Sequence, residues 1–228
     1  MMQRISVAID GPGGAGKSTA AKALAAKFGF AYVDTGAIYR TIGLAVLRAG
    51  ASPTDEEEVA PLLRTARVDL DYDAAGLQHM LLNGEDVNRE IRLPEISGYA
   101  SKVSALPAVR AALLEHQREQ ARLRSVVMDG RDIGTVVLPD ATLKVFLTAD
   151  PRVRARRRYE ELRQRGTPQA FEDVLREMEE RDLRDSTRAA APLKPAPDAV
   201  LLDSTDLSFE QVLAALSRLV EGKMGGSP

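Results

Sequence analysis

The chain has no cysteine and only two histidines, His79 and His116. The first absence excludes disulfides, thiol nucleophiles and cysteine-based metal sites, and two imidazoles alone cannot build a multi-histidine centre. No apolar run approaches the roughly 18 residues that a membrane span requires. Charge of one sign is also scarce: 31 Lys and Arg against 33 Asp and Glu leave a net charge of −2. Bulk basicity therefore gives no pointer to nucleic acid. The first apolar run begins at Ile5, so no signal peptide is expected, and a cytoplasmic protein is the simple reading. Hydrophobic residues are not scarce. At 44% of 228 residues they suffice for one large domain, with or without insertions.

What is present starts with Gly11-Pro12-Gly13-Gly14-Ala15-Gly16-Lys17-Ser18, followed by Thr19. The stretch fits the phosphate-binding pattern G-x-x-x-x-G-K-[ST], and its flanks are those the pattern needs. Ile5–Ile9 before it is apolar with β-branched residues, and the alanine-rich Thr19–Phe28 after it is a helix former. Strand, glycine turn and helix together place backbone N–H groups and the positive end of a helix dipole around an anion. Lys17 is expected to reach the β- and γ-phosphates of a nucleoside triphosphate, and the Ser18 hydroxyl to complete a Mg²⁺ shell. A chance glycine-rich turn is the bland alternative, and the matched flanks argue against it.

Apolar, β-rich runs recur at Ile5–Ile9, Phe30–Val33, Val126–Met128, Leu143–Leu147 and Val200–Leu202, with helical patterns between them. This alternation predicts an α/β fold, a doubly wound parallel sheet of five strands covered on both faces. Ligands of such sheets sit beyond the carboxyl ends of the strands. Asp10, Asp34 and Asp129 all fall at such ends. Two segments interrupt the pattern. From about Arg67 to Ile91 the alternation, with turns at Asp73–Gly76 and Asn83-Gly84, predicts an inserted meander of three short antiparallel strands. From Pro151 to about Pro195 runs a charged helical stretch broken at Gly166-Thr167-Pro168. Thr54–Glu57 and Ser208–Gln211 read as capping boxes. Gly225–Pro228 reads as a short low-complexity tail.

Arg152, Arg154, Arg156, Arg157, Arg158, Arg163 and Arg165 crowd the start of that second segment, and Arg181, Arg184 and Arg188 follow. Interleaved acids make a solvated helix pair with i,i+4 ion pairs the bland reading. The segment has no lysine until Lys194, however, and arginine holds phosphate bidentately where lysine cannot. A flap that closes over a phosphoryl group is the sharper reading. An anionic acceptor needs no general base, whereas an alcohol acceptor would usually want a carboxylate, for which Asp34 and Asp129 are available. Arginine abundance favours the anionic acceptor without deciding it. A regulatory GTPase would need a guanine-reading N-K-x-D, which is missing. A motor or helicase ATPase would need a larger body or a strand ending in Asp-Glu. A small metabolite kinase is left, with a nucleotide-binding regulator without turnover as the rival from another class.

Gly11–Thr19, Asp34–Arg40, Asp129–Thr135 and Glu180–Arg188, in this order, closely resemble the bacterial cytidylate kinases, and the 67–91 insertion resembles the one that marks the bacterial enzymes. The resemblance covers almost the whole chain. It implies ATP-dependent phosphorylation of CMP and dCMP, with Mg²⁺, by a single kinase domain over 1–228. Within it, residues 36–115 would form the monophosphate-binding region and 151–190 an arginine-rich lid. Small-molecule nucleotides would be the only partners, with no nucleic-acid polymer, no membrane and a monomer expected. Carried over by position, Thr35, Tyr39, Arg40, Ser101, Arg110, Arg131, Asp132, Arg181, Asp185 and Arg188 would hold the monophosphate. Lys17, Arg131, Asp132 and Arg188 would act in catalysis. Asp132 with Ser101 and Arg110 would read cytosine, Arg40, Arg131 and Arg188 would hold the phosphate, and Asp185 with Arg181 the sugar. Thr35 departs from the serine common in the family, and its extra methyl could crowd the sugar. Tyr39 lies on a helix face with Ile38 and Ile42, where a core role is the alternative. The adenine is expected near Ser204-Thr205-Asp206, and Asp34 or Asp129 in the outer shell of the metal.

Overall fold

Order along the chain follows the predicted alternation. The computed structural model describes residues 4–73, 76 and 78–225. It runs β1 (Ser6–Asp10), α1 (Lys17–Phe28), β2 (Ala31–Asp34), α2 (Thr35–Arg48), α3 (Glu56–Thr65), β3 (Val68–Tyr72), β4 (Gln78–Leu82) and β5 (Glu85–Asp86). It continues with α4 (Pro94–Val103), α5 (Pro107–Leu123), β6 (Val126–Gly130), β7 (Leu143–Thr148), α6 (Pro151–Gln164), α7 (Phe171–Thr187), β8 (Val200–Asp203) and α8 (Phe209–Met224). All five predicted parallel strands are present, in one sheet of order β2-β6-β1-β7-β8. β1 pairs parallel with β7, Val7 opposite Leu143, and β7 pairs parallel with β8, Val145 opposite Val200. Every residue of β6 is buried, as are Val7, Ala8 and Ile9, the signature of strands covered on both faces. Each fully buried Val, Leu or Ile contributes about 1.5–3 kcal/mol to the fold.

The chain divides into two compact units, residues 1–30 with 127–228, and residues 31–126. In the first, α1 packs with α8 and α6 with α7. Ser208 and Gln211 make the predicted capping box at the start of α8. The break between α6 and α7 falls where Gly166 takes a φ of 74°. The tail beyond Gly225 lies outside the described residues.

In the second unit a separate sheet, β3-β4-β5, packs on α2, with Met80 and Leu82 buried. Asn83 (φ 53°) and Gly84 (φ 85°) form the two-residue turn between β4 and β5, both in the left-handed region this turn requires. The third strand is shorter than predicted. It ends at Asp86, whose carboxylate accepts the Asn88 backbone N–H at 2.9 Å and its amide at 2.8 Å. This Asx turn draws the backbone off the ladder, and the chain enters a 3₁₀ turn over Glu90–Arg92 that buries Ile91. The expected cap at Thr54 is also corrected: Asp55 caps α3, accepting from Glu57 and Glu58 N–H groups. A carboxylate one residue later aligns better with those donors, and Thr54 bonds to Ser52 instead. The predicted turn at Asp73–Gly76 falls partly outside the described residues, at Ala74 and Ala75. No helix among the described residues is long and apolar enough to cross a membrane.

Candidate active site

β1 delivers the chain into Gly11, whose φ is +148° and whose Cβ would lie 1.9 Å from the Leu147 carbonyl oxygen. A side chain there is excluded by the backbone of β7. At Gly14 (φ +71°) a Cβ would lie 2.8 Å from Met178 Cε and 2.9 Å from the Arg154 carbonyl oxygen, so α6 and α7 lie directly against the loop. α1 then opens at Lys17 with Gly16 in the cap position and no side-chain cap. Its first N–H groups are thus left to an anion, the arrangement expected of a phosphate-binding loop.

Lys17 is 5% exposed, and its Nζ donates to the Pro12 carbonyl at 2.7 Å. Burial first, then the Arg131 guanidinium, holds its ammonium well below the ordinary lysine range, with Asp129 opposing. Ser18 Oγ donates to Asp129 Oδ2 at 2.8 Å. Of the two carboxylates expected near a metal, Asp129 has this link. Asp34 instead caps α2 by accepting the Ala37 N–H at 2.9 Å.

The same unit gathers five of the expected substrate residues. Arg131 Nε donates to Asp185 Oδ2 at 2.9 Å, and Arg181 Nε lies 3.8 Å from the same oxygen. Arg188 Nη2 reaches Asp132 Oδ1 at 3.5 Å, while its Nε donates to the Ala191 carbonyl at 2.8 Å. Burial alone would push the Asp185 carboxyl up; Arg131 and Arg181 outweigh it and bring it below the usual carboxylate range. Three guanidinium groups thus stand around two buried carboxylates, an excess of positive charge suited to an anion.

The arginine run of α6 and α7 divides into exposed ion-paired side chains and buried ones. Arg152, Arg165, Arg176 and Arg184 make exposed ion pairs, worth little each. Arg154 is different. It is buried, and it donates to Ala149 O at 2.8 Å, Gly13 O at 3.1 Å and Asp182 Oδ2 at 2.5 Å, tying the loop to α7. Arg157 donates to Ser204 Oγ at 3.1 Å and to its carbonyl at 2.7 Å. Ser204 Oγ donates to the Thr148 carbonyl at 3.0 Å and lies 3.4 Å from Ala15 O, so the Ser204–Asp206 segment lies beside the loop. Nothing in the sequence separates Arg154 from its many neighbours.

The other expected residues belong to the second unit. Thr35 is buried in the first turn of α2, with Tyr39 and Arg40 half-buried one turn on. The Arg110 guanidinium lies 5.8 Å from the Tyr39 ring centroid. Ser101 on α4 is 8% exposed, and its Oγ has no hydrogen-bond partner among the described residues. Thr135 and Ser217 carry buried hydroxyls in the same state, and Ser101 is the one among the expected substrate residues.

A residue whose importance the sequence concealed is Asp10. Its carboxylate is 4% exposed and accepts the Ile133 N–H at 2.8 Å and the Gly134 N–H at 2.7 Å. Burial pushes it up from 3.8 to about 6, although both N–H groups favour the charged form; Asp132 adds to the rise and Lys17 opposes it. The native state therefore holds this proton more tightly than the unfolded chain. The contribution of Asp10 to stability is fully present below about pH 4 and is lost as pH rises through 6, a change of roughly 3 kcal/mol. Urea unfolding of the native protein and Asp10→Asn from pH 4 to 8 checks this. The stability of the native protein relative to the variant should fall with rising pH and level off above about pH 7. A difference independent of pH would refute the assignment.

Comparison with known proteins identifies the family. The family model for cytidylate kinase matches residues 7–222. A cytidylate kinase of Solibacter usitatus is 50% identical over 224 residues, covering 97% of this chain and 94% of that protein. A cytidylate kinase of Caldanaerobacter subterraneus subsp. tengcongensis is 52% identical over 209 residues, covering 92% and 91%. The solved structure of shikimate kinase from Bacteroides thetaiotaomicron overlays with a TM-score of 0.48 at 15% identity, covering 95% of this chain and 98% of that one. With the family match running from β1 to α8 and about half the residues shared over nearly the full length, the chain belongs to the cytidylate kinase family.

Proposed function

We propose that the protein transfers the γ-phosphoryl group of ATP to CMP and dCMP, giving CDP and dCDP, as a cytoplasmic monomer. The observation that carries this reading is the Arg131–Asp185–Arg181 and Arg188–Asp132 group beside the strand that bears the phosphate-binding loop. Full-length relatives of one name favour CMP over another monophosphate or a small alcohol, and over a regulator without turnover.

The loop Gly11–Thr19 holds the triphosphate through its N–H groups and Lys17. With burial and Arg131 disfavouring its charge, Lys17 gains most when an anion arrives. Mg²⁺ fits the oxygen donors here. Ser18 Oγ would be its protein ligand, with Asp129 orienting it, and no cluster of three acidic or imidazole groups exists among the described residues. Such a site suits an ion that takes most ligands from phosphates and water. When bound, the ion would neutralise developing charge on the phosphate oxygens.

CMP is read by Asp132, which accepts from the cytosine amino group, with Ser101 and Arg110 donating to its acceptors. Arg40, Arg131 and Arg188 hold the acceptor phosphate. Asp185, oriented by Arg181 and Arg131, takes the sugar hydroxyls, and Thr35 and Tyr39 line the same ligand. The phosphate of CMP is already anionic near neutral pH, its second pKa being about 6. One of its oxygens attacks the γ-phosphorus as the bond to the β–γ bridging oxygen breaks, and no general base is required. Charge spreads over the transferred oxygens, where Lys17, Arg131 and Arg188 stabilise it.

Initial rates with CMP, dCMP, UMP, GMP, TMP and shikimate test the reading. CMP and dCMP should be used best. A preference for any other acceptor, or ATP binding without CDP formation, would overturn it.

A further inference from the structure

Asp132 stands at the N-cap of a short π-helical turn over Ile133–Val137, with φ −146° and ψ 26°, yet its side chain makes no cap bond. An aspartate in this place ordinarily gives its carboxylate to the exposed N–H groups of the turn. Here the cap comes from another strand. The two oxygens of Asp10, at the end of β1, each accept one of the first two N–H groups, from Ile133 and Gly134. The Asp132 carbonyl closes the turn by accepting from Val136 at 2.9 Å and Val137 at 3.2 Å. Its carboxylate is turned to Arg188 instead. Two short charge-assisted bonds to consecutive N–H groups fix the orientation of the peptide that follows Asp132 as well as its position.

The arrangement is costly. It buries a carboxylate beside a second carboxylate, where serine or asparagine would cap a turn without the like-charge term. We propose that Asp10 is a positioning residue for the monophosphate site. By capping Ile133 and Gly134 in place of Asp132, it keeps the Asp132 carboxylate off the backbone and presented to the substrate. This role rests on the base-reading role of Asp132 given above.

Asp10→Asn keeps one acceptor but sets an NH₂ against one of the two N–H groups. The turn is then half-capped, and Asp132 is drawn back to cap it. Steady-state kinetics of the native protein, Asp10→Asn, Asp132→Asn and the double variant test the idea. Asp10→Asn should raise KM for CMP about tenfold and leave KM for ATP within about twofold, the split expected when one ligand's recognition is lost. The double variant should lose no more kcat/KM for CMP than Asp132→Asn alone, because the two residues act in series. Equal losses for CMP and ATP, losses that multiply in the double variant, or no change in Asp10→Asn would each overturn the proposal. If Asp10→Asn does not fold, Asp10→Ser, whose single short hydroxyl can serve only one of the two N–H groups, replaces it, and the same CMP-selective rise is expected. If Asp132→Asn alone leaves CMP kinetics unchanged, the reading of Asp132 itself fails, and the positioning role falls with it.

Discussion

Lys17→Ala is expected to lower kcat about 1,000-fold, roughly 4 kcal/mol of transition-state stabilisation, while KM for ATP moves by less than about tenfold. The asymmetry follows from where the ammonium sits. In the structure Lys17 is folded onto the Pro12 carbonyl of its own loop, in a buried place where Arg131 repels it. Ground-state binding has many other donors, because the loop N–H groups and the start of α1 remain in the variant. Charge developing on the transferred group has fewer, and it lies where water is excluded and each charge counts for more. Stopped-flow or steady-state measurement of CDP formation, with ATP affinity measured separately, checks this. Unchanged turnover would remove Lys17 from the mechanism, and a loss confined to KM would make it a binding residue only.

The second large effect is expected at Asp132. Asp132→Ala should lower kcat/KM for CMP about 100-fold, with KM for ATP nearly unchanged, because a site built to bond a polar group loses most when that bond goes unmade. Arg188 adds to the loss. Its guanidinium lies 3.5 Å from the Asp132 carboxylate, so removing the carboxylate also changes the charge around the group proposed to hold the phosphate. Equal losses for both nucleotides would tell against base reading. A much smaller loss with UMP, which lacks the exocyclic amino group, would strengthen the assignment to that group.

The sheet was legible because its signal is local. Each parallel strand is a short apolar run, and burial on both faces leaves no alternation to misread, as the fully buried β6 illustrates. The phosphate-binding loop was legible for the same reason, since strand, glycines, lysine and helix are contiguous. The end of the third meander strand is not legible in the alternating pattern, because it depends on an Asx turn at Asp86. Asp10 was visible as an acid at a strand end, but its partners lie more than a hundred residues away at Ile133 and Gly134. Arg154 was one arginine among many, and only the fold distinguishes it from Arg152 two residues before, which is exposed to solvent. Local pattern carries the scaffold and the motif. The residues that aim them depend on contacts the chain makes only once folded.

Arg154 also constrains how α7 can travel. Its guanidinium is buried between the loop carbonyl at Gly13, the carbonyl of Ala149 and the carboxylate of Asp182. A small tilt of α7 would stretch the Asp182 contact without replacing it, leaving a buried cation short of its counter-charge. Intermediate positions are therefore the unfavourable ones. Kinematically, such a contact would act as a detent rather than a spring: the helix would rest where Arg154 is satisfied, or have to move far enough for water to take the place of Asp182.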